Sequence, residues 1–271
     1  MTTGPAAREP VEEAFARRAR RAIALAEATR SGEAPLRFAA GLFRAQGALA
    51  AAVAATHDQH PLEGRLASDV ERFASELDRV LAFAVESAPG PLAAEAEARR
   101  QEDRAVTRER LLAFWSGDRR SGDDYLSRAL LRPYVEVLAA RAVAPDRAHA
   151  PGRCPFCGGL PWIAARRPLP EADGAQRALG CALCGGEWAF GRLRCPSCAE
   201  EDPERLPSFQ SDSHRGVRIE ACEVCHRYVK SVDLTVDGRA IPEVDDLLSL
   251  DLDLWAVEQG FERIEPGLAG L

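Results

Sequence analysis

Lysine is almost missing from this chain of 271 residues: Lys230 is the one lysine among 35 basic positions, and arginine fills the rest. Coding bias is the plain explanation for that preference. Excess positive charge is missing too. A formal charge of -7 and a pI near 5.4 argue against a protein held mainly on phosphate backbones, so no nucleic-acid partner is expected. No stretch approaches the roughly 18 consecutive apolar residues of a membrane span. The richest run, Ala48 to Ala55, is mostly alanine and belongs in a packed helix. The pairs Arg17-Arg18 and Arg20-Arg21 invite a twin-arginine export reading, but the following run from Ala22 is short and Glu27 interrupts it. A cytoplasmic protein without membrane insertion is expected. Nucleophile elbow, phosphate loop and dinucleotide fingerprint are all lacking in their required contexts, so no hydrolase or dehydrogenase is supported and no catalytic residue is assigned.

Cysteine is absent from roughly 200 residues and concentrated in the remainder. All eight lie in CxxC pairs, Cys154/Cys157, Cys181/Cys184, Cys195/Cys198 and Cys222/Cys225, separated by 23, 10 and 23 residues. The equal outer gaps are an internal repeat. Disulfides suit a reducing cytosol poorly, and a redox dithiol needs one pair rather than four. The CxxCH at Cys222 to His226 spells a haem attachment site, yet haem would leave the other three pairs without a role. Four thiolates from two turns instead make a tetrahedral sulfur site for structural zinc or a rubredoxin-like iron, two ions per chain. The repeat favours pairing 154/157 with 181/184 and 195/198 with 222/225; joining 181/184 to 195/198 is the alternative. Gly158 and the glycine after Cys184 suit a left-handed turn ending, whereas Ala199 and His226 would adopt positive φ at a modest steric cost. Units of about 40 residues lack the apolar burial to fold alone, so metal has to supply the difference.

The remaining pattern implies an α+β multidomain protein: a helical bundle over 1–145, a first four-cysteine unit over 146–190, and a second over 191–271 that ends in a helix. Pro10 with Glu12 and Glu13 starts a helix that Ser31-Gly32 stops. A second helix runs from Pro35 to about Thr56. Leu66, Val70, Phe73, Leu77, Val80 and Ala84 form one apolar stripe. After Pro89-Gly90-Pro91 comes a segment leading to Leu111 and Trp115, then a loop over 116–124, then a helix carrying Leu126, Leu130, Tyr134 and Leu138 with Pro133 bending it. Five or six helical elements result. His57 and His60 read as surface residues, and 142–153 as a linker. The words GEWAFGRLR, GVRIEAC and SVDLTVDGR predict strands, with a turn at Asp237-Gly238. A helix over EVDDLLSLDLDLWAVEQG offers Val244, Leu247, Leu248, Leu254 and Trp255 for packing, while Asp245, Asp246, Asp251 and Asp253 read as a solvated face.

CPFCGG, LGCALCGGEW, RCPSC, EACEVCHRYVK and VDDLLSLDLD, in this order after a helical region, resemble the FdhE family of formate dehydrogenase accessory proteins. The likeness is specific over about 150 to 260 and architectural before that. It implies a non-enzymatic cytoplasmic maturation factor that contacts the formate dehydrogenase catalytic subunit before export and carries rubredoxin-like sites in which iron is favoured. By position, all eight cysteines match the family's metal ligands; Glu187, Trp188, Tyr228 and Lys230 match recurrent family words without an assigned role. A homodimer is left open. Two other readings stand beside this one: a rubredoxin-type electron-transfer protein, and a zinc-ribbon nucleic-acid module resting on Arg192, Arg194, Arg215 and Arg218.

Overall fold

The computed structural model describes residues 9–29, 32–117, 124–169 and 174–270. Seven α-helices precede the first strand among these residues: α1 (Val11–Ala28), α2 (Glu33–Gln59), α3 (Leu66–Phe73), α4 (Asp78–Ser87), α5 (Gly90–Arg100), α6 (Arg104–Ser116) and α7 (Tyr125–Ala140). Pro10 caps α1 ahead of Glu12 and Glu13, where acidic side chains favour a helix start. The stripe from Leu66 to Ala84 is buried at every position, but a 3-10 turn at Ala74–Glu76 splits it into α3 and α4. This break, and the separate helices α5 and α6, raise the count above the five or six expected. Ser31 and most of the expected 116–124 loop lie outside the described residues.

By length and composition α2 is apolar enough to cross a membrane, yet half of its apolar window is buried within the fold. Leu36, Phe43, Leu49 and Val53 sit wholly inside the core. Tertiary packing against α1, α4 and α7 accounts for its composition. The α7 helix is central. Asp124 caps it by accepting from the Ser127 amide at 3.0 Å, every residue from Leu126 to Leu138 is buried, and Pro133 lies inside it without ending it. The 142–153 segment is pinned rather than free: Asp146 accepts from Trp115 Nε1 at 2.8 Å, and its amide donates to the Gly64 carbonyl at 2.9 Å. His60 is exposed as expected, whereas His57 is half-buried and its Nδ1 accepts from the Leu62 amide at 3.1 Å.

The strands are β1 (Pro161–Pro168), β2 (Ala175–Cys181), β3 (Glu187–Ala189), β4 (Ser208–Gln210), β5 (Val217–Cys222), β6 (Arg227–Asp233) and β7 (Glu262–Arg263). They form a single sheet in the order β3-β2-β1-β6-β5-β4, with β7 pairing β6. Both cysteine units therefore share one sheet. The junction is the parallel pairing of β1 with β6, in which Ile163 meets Lys230 and Arg166 meets Asp233. Side chains alternate across the strands, so Ile163, Ala165 and Val232 join the helical core while Ala164, Leu179 and Val229 form a small apolar patch on the opposite face. Of the expected strands, GEWAFGRLR is extended only over β3, and SVDLTVDGR only over its first residues, because β6 begins earlier, at Arg227.

The last expected helix is broken into α8 (Pro242–Asp245), a 3-10 turn (Asp246–Ser249) and α9 (Leu250–Glu258). Leu254, expected to pack, is 55% exposed, and Leu252 and Ala256 pack in its place. The expected solvated acidic face is also corrected: Asp245, Asp246 and Asp253 are buried, leaving Asp251 exposed beside His214. Their burial is stabilised by basic partners brought from elsewhere in the chain.

Candidate metal centres

Each CxxC closes a tight turn. The amides of Gly158, Gly185 and Ala199 donate to the carbonyls of Cys154, Cys181 and Cys195 at 2.9, 3.2 and 3.0 Å. All four turns end at positive φ, +65° for Gly158, Gly185 and Ala199 and +53° for His226. The two non-glycine residues thus adopt the left-handed conformation their positions demanded. His226 is a turn residue whose ring lies 6.3 Å from Phe261, so the haem spelling is a consequence of the repeat.

The turns meet in the pairs that the spacing favoured. Cys154, Cys157, Cys181 and Cys184 form one cluster, and Cys195, Cys198, Cys222 and Cys225 the other, with the four sulfurs of each within 4.8 Å of one another. The closest contacts are 3.6 Å for Cys154–Cys184 and 3.4 Å for Cys157–Cys181, repeated as 3.7 Å for Cys195–Cys225 and 3.6 Å for Cys198–Cys222. These are too long for a disulfide. A tetrahedral ion with metal–sulfur bonds of about 2.3 Å requires sulfur edges of about 3.8 Å, so both clusters fit a four-thiolate metal centre.

The surroundings suit thiolates. Cys181 Sγ accepts from the amides of Leu183 and Cys184 at 3.4 and 3.5 Å, and Cys184 Sγ from Gly186 at 3.4 Å. In the second cluster Cys195 Sγ accepts from Ser197 at 3.4 Å. Gly159 is needed for close approach, since a Cβ there would lie 2.8 Å from Cys181 Sγ. Burial pushes the Cys181 thiol up, and a dication held by the four sulfurs would offset that cost by stabilising the thiolates.

The two clusters differ in access. All four cysteines of the first are buried, whereas Cys198 is exposed and Cys225 half-exposed in the second. The first also rests on the helices: a Cβ on Gly185 would come 2.8 Å from an Arg18 nitrogen and 2.9 Å from Glu136. Arg18 and Arg132 hold Glu136 at 2.9 and 2.7 Å and Glu243 at 2.5 and 2.6 Å, an ion network joining α1, α7 and α8 beside this turn.

Lys230 and Tyr228 gain a role that the sequence left unassigned. Lys230 Nζ is fully buried and contacts Asp253 Oδ2 at 2.6 Å, Asp246 Oδ1 at 3.0 Å and the carbonyls of Asp246 and Ser249 at 2.9 and 3.0 Å. Arg263 binds the same two carboxylates at 3.0 and 3.1 Å, and Tyr228 donates to Asp253 at 2.8 Å. Two cations and two anions close a neutral, hydrogen-bonded lock between the sheet and the carboxyl-terminal helices. Glu187 instead pairs with Arg167 near the surface, and Trp188 packs half-buried beside the outer apolar patch. The lone lysine in an arginine-rich chain was the available signal, but only the fold brings the aspartates to it.

The FdhE C-terminal domain model matches residues 193–268. A protein FdhE homolog from Aquifex aeolicus is 32% identical over 52% of this chain and 49% of its own length. A Stutzerimonas stutzeri homolog is 36% identical over 42% of this chain and 37% of its own, so these matches span half or less of those relatives. A Pseudomonas aeruginosa homolog is 29% identical over 97% of this chain and 92% of its own. The crystal structure of the FdhE protein from Pseudomonas aeruginosa superposes with a TM-score of 0.70 at 28% identity, covering 96% of both chains. The chain thus carries a match to the FdhE C-terminal domain and is similar in fold, along nearly its whole length, to a solved FdhE protein.

Proposed function

We propose that this protein is an accessory factor for formate dehydrogenase, binding the immature catalytic subunit in the cytoplasm through a metal-stabilised scaffold. The observation carrying this reading is that two four-sulfur clusters are built into one sheet, and that the family words around them serve its internal joints. Cys154, Cys157, Cys181 and Cys184 hold one ion and Cys195, Cys198, Cys222 and Cys225 the other, with iron favoured over zinc. The parts are a helical region over 1–145 and units over 146–190 and 191–271. Affinity capture of the tagged full-length protein from cells making a formate dehydrogenase tests the role. Recovery of the catalytic subunit is expected; its absence, while other maturation factors recover it, overturns the proposal.

The exposure of Cys198 favours one second reading, a rubredoxin-type electron carrier, because electron transfer needs a metal–sulfur edge near the surface. Anaerobically purified protein with a reducible iron chromophore supports that reading. Colourless zinc protein that still restores formate dehydrogenase activity excludes it.

A further inference from the structure

The sheet face turned away from the helical core carries a concentration of positive charge that neither cluster's geometry requires. Arg166 and Arg177 are direct partners on β1 and β2, a like-charge pairing that destabilises a sheet when nothing lies between the charges. With Arg192, Arg194, Arg218 and Arg227 they line one cavity of about 170 Å³ between the two cysteine units, backed by Cys195 and Cys222. Arg177 is 5% exposed and is fixed by Glu220 at 2.7 Å and the Gly191 carbonyl at 2.9 Å, so its position is set before any ligand arrives.

Carboxylates are outnumbered by arginines here, and the other anionic groups nearby are the thiolates of the second centre behind the cavity. Asp233 is shared between Arg166 at 2.8 Å and Arg218 at 3.6 Å, Glu220 serves Arg177, and Glu201 and Glu262 meet Arg194 and Arg227 from outside the cavity lining. Arg192 has no acidic partner among the described residues. A second arginine-lined cavity, beside α1, differs: its arginines are each paired with a carboxylate.

We infer that this outer-face cavity is an oxyanion site for a phosphate group, either free or at the end of a small phosphorylated molecule. Its volume lies below the roughly 300 Å³ at which pockets for drug-sized ligands begin, which suits an ion or end group. A carboxylate is satisfied by one guanidinium fork, whereas arginines brought to one cavity from separate strands and a loop suit an anion with acceptors on several sides. This site is independent of the accessory role proposed above.

Full-length zinc-loaded protein titrated calorimetrically with inorganic phosphate at constant ionic strength tests the inference, with chloride and acetate as parallel arms. One phosphate per chain is expected, with acetate at least roughly tenfold weaker. Combined Arg192→Gln and Arg218→Gln substitutions, at exposed and half-buried positions, should weaken phosphate by roughly tenfold or more, the scale of a charge-assisted hydrogen bond. Arg239→Gln, at an 88% exposed side chain in the other cavity, should leave it unchanged. Phosphate heat no different from chloride, or acetate binding equal to phosphate, overturns the inference. So does unchanged phosphate affinity in the double variant, and zinc lost from its second cluster at the same time would show that these arginines serve the thiolates instead.

Discussion

Lys230 shows how much one side chain can hold together. Its ammonium is the shared counter-ion of Asp246 and Asp253, and removing one partner from a buried ionic group leaves uncompensated charge. Lys230→Met should therefore destabilise the protein by about 3–5 kcal/mol, measured by urea unfolding of metal-loaded protein. The same lock gives a pH dependence. Burial alone would raise the Asp246 carboxyl, but Arg263 and Lys230 more than offset it, and the group is held below its ordinary value. Since the folded-state value is depressed, its contribution is present above the unfolded value of about 3.9 and is lost as pH falls through the lower, folded one. Thiolate protonation acts in the same direction, so the comparison must be with Asp246→Asn on the same metal. The variant should be less stable at neutral pH and show a shallower loss below about pH 4; parallel profiles would show that Asp246 does not contribute to the slope.

At the scale of turns and strands, the four CxxC elements have the same geometry built from different residues. Gly158 pays no Cβ penalty at +65°, and an added Cβ would also lie against the Ala148 carbonyl. Ala199 holds the same φ with a Cβ present. Gly158→Ala should thus lower stability by more than 1–2 kcal/mol, roughly the conformational cost alone, while Ala199→Gly should raise it by up to about 1 kcal/mol. Differential scanning calorimetry of metal-loaded variants distinguishes the two signs. These turns were legible in the sequence because ligand spacing and glycine position are local constraints. The apolar stripe of α3 and α4 was legible for the same reason. The 3-10 breaks after Phe73 and Asp245 were not, since helical periodicity persists through a short tightening of the backbone. The burial of Asp246 and Asp253 was illegible too: an acidic helix face looks solvated until a lysine 16 residues upstream and an arginine beyond the helix are folded onto it.

Across the whole molecule, the consequence least visible in the cysteine spacing is that the repeat does not make two equivalent centres. Equal gaps of 23 residues imply equivalent units, but the parallel β1–β6 junction places the first cluster within the main core and the second toward the rim. Cys154, Cys157, Cys181 and Cys184 pack in the same continuous apolar cluster as Phe15, Phe43 and Leu130, so losing an ion held there would leave free thiols inside the core of the helical region. Cys195, Cys198, Cys222 and Cys225 are not part of that apolar cluster, and Cys198 is at the surface. Metal removal should therefore be sequential. In protein loaded with two zinc ions, chelator and a thiol-alkylating reagent should release one ion first and label Cys198 and Cys225 before any cysteine of the first cluster, as read by intact-mass and peptide mass spectrometry. Cys198→Ser should lose one ion while retaining the far-ultraviolet dichroism of the helices, whereas Cys157→Ser should lower helical content and unfolding temperature together. Equal labelling of the two clusters, or a Cys157→Ser variant whose helices melt as in the parent protein, would show that the helical core stands without the first centre.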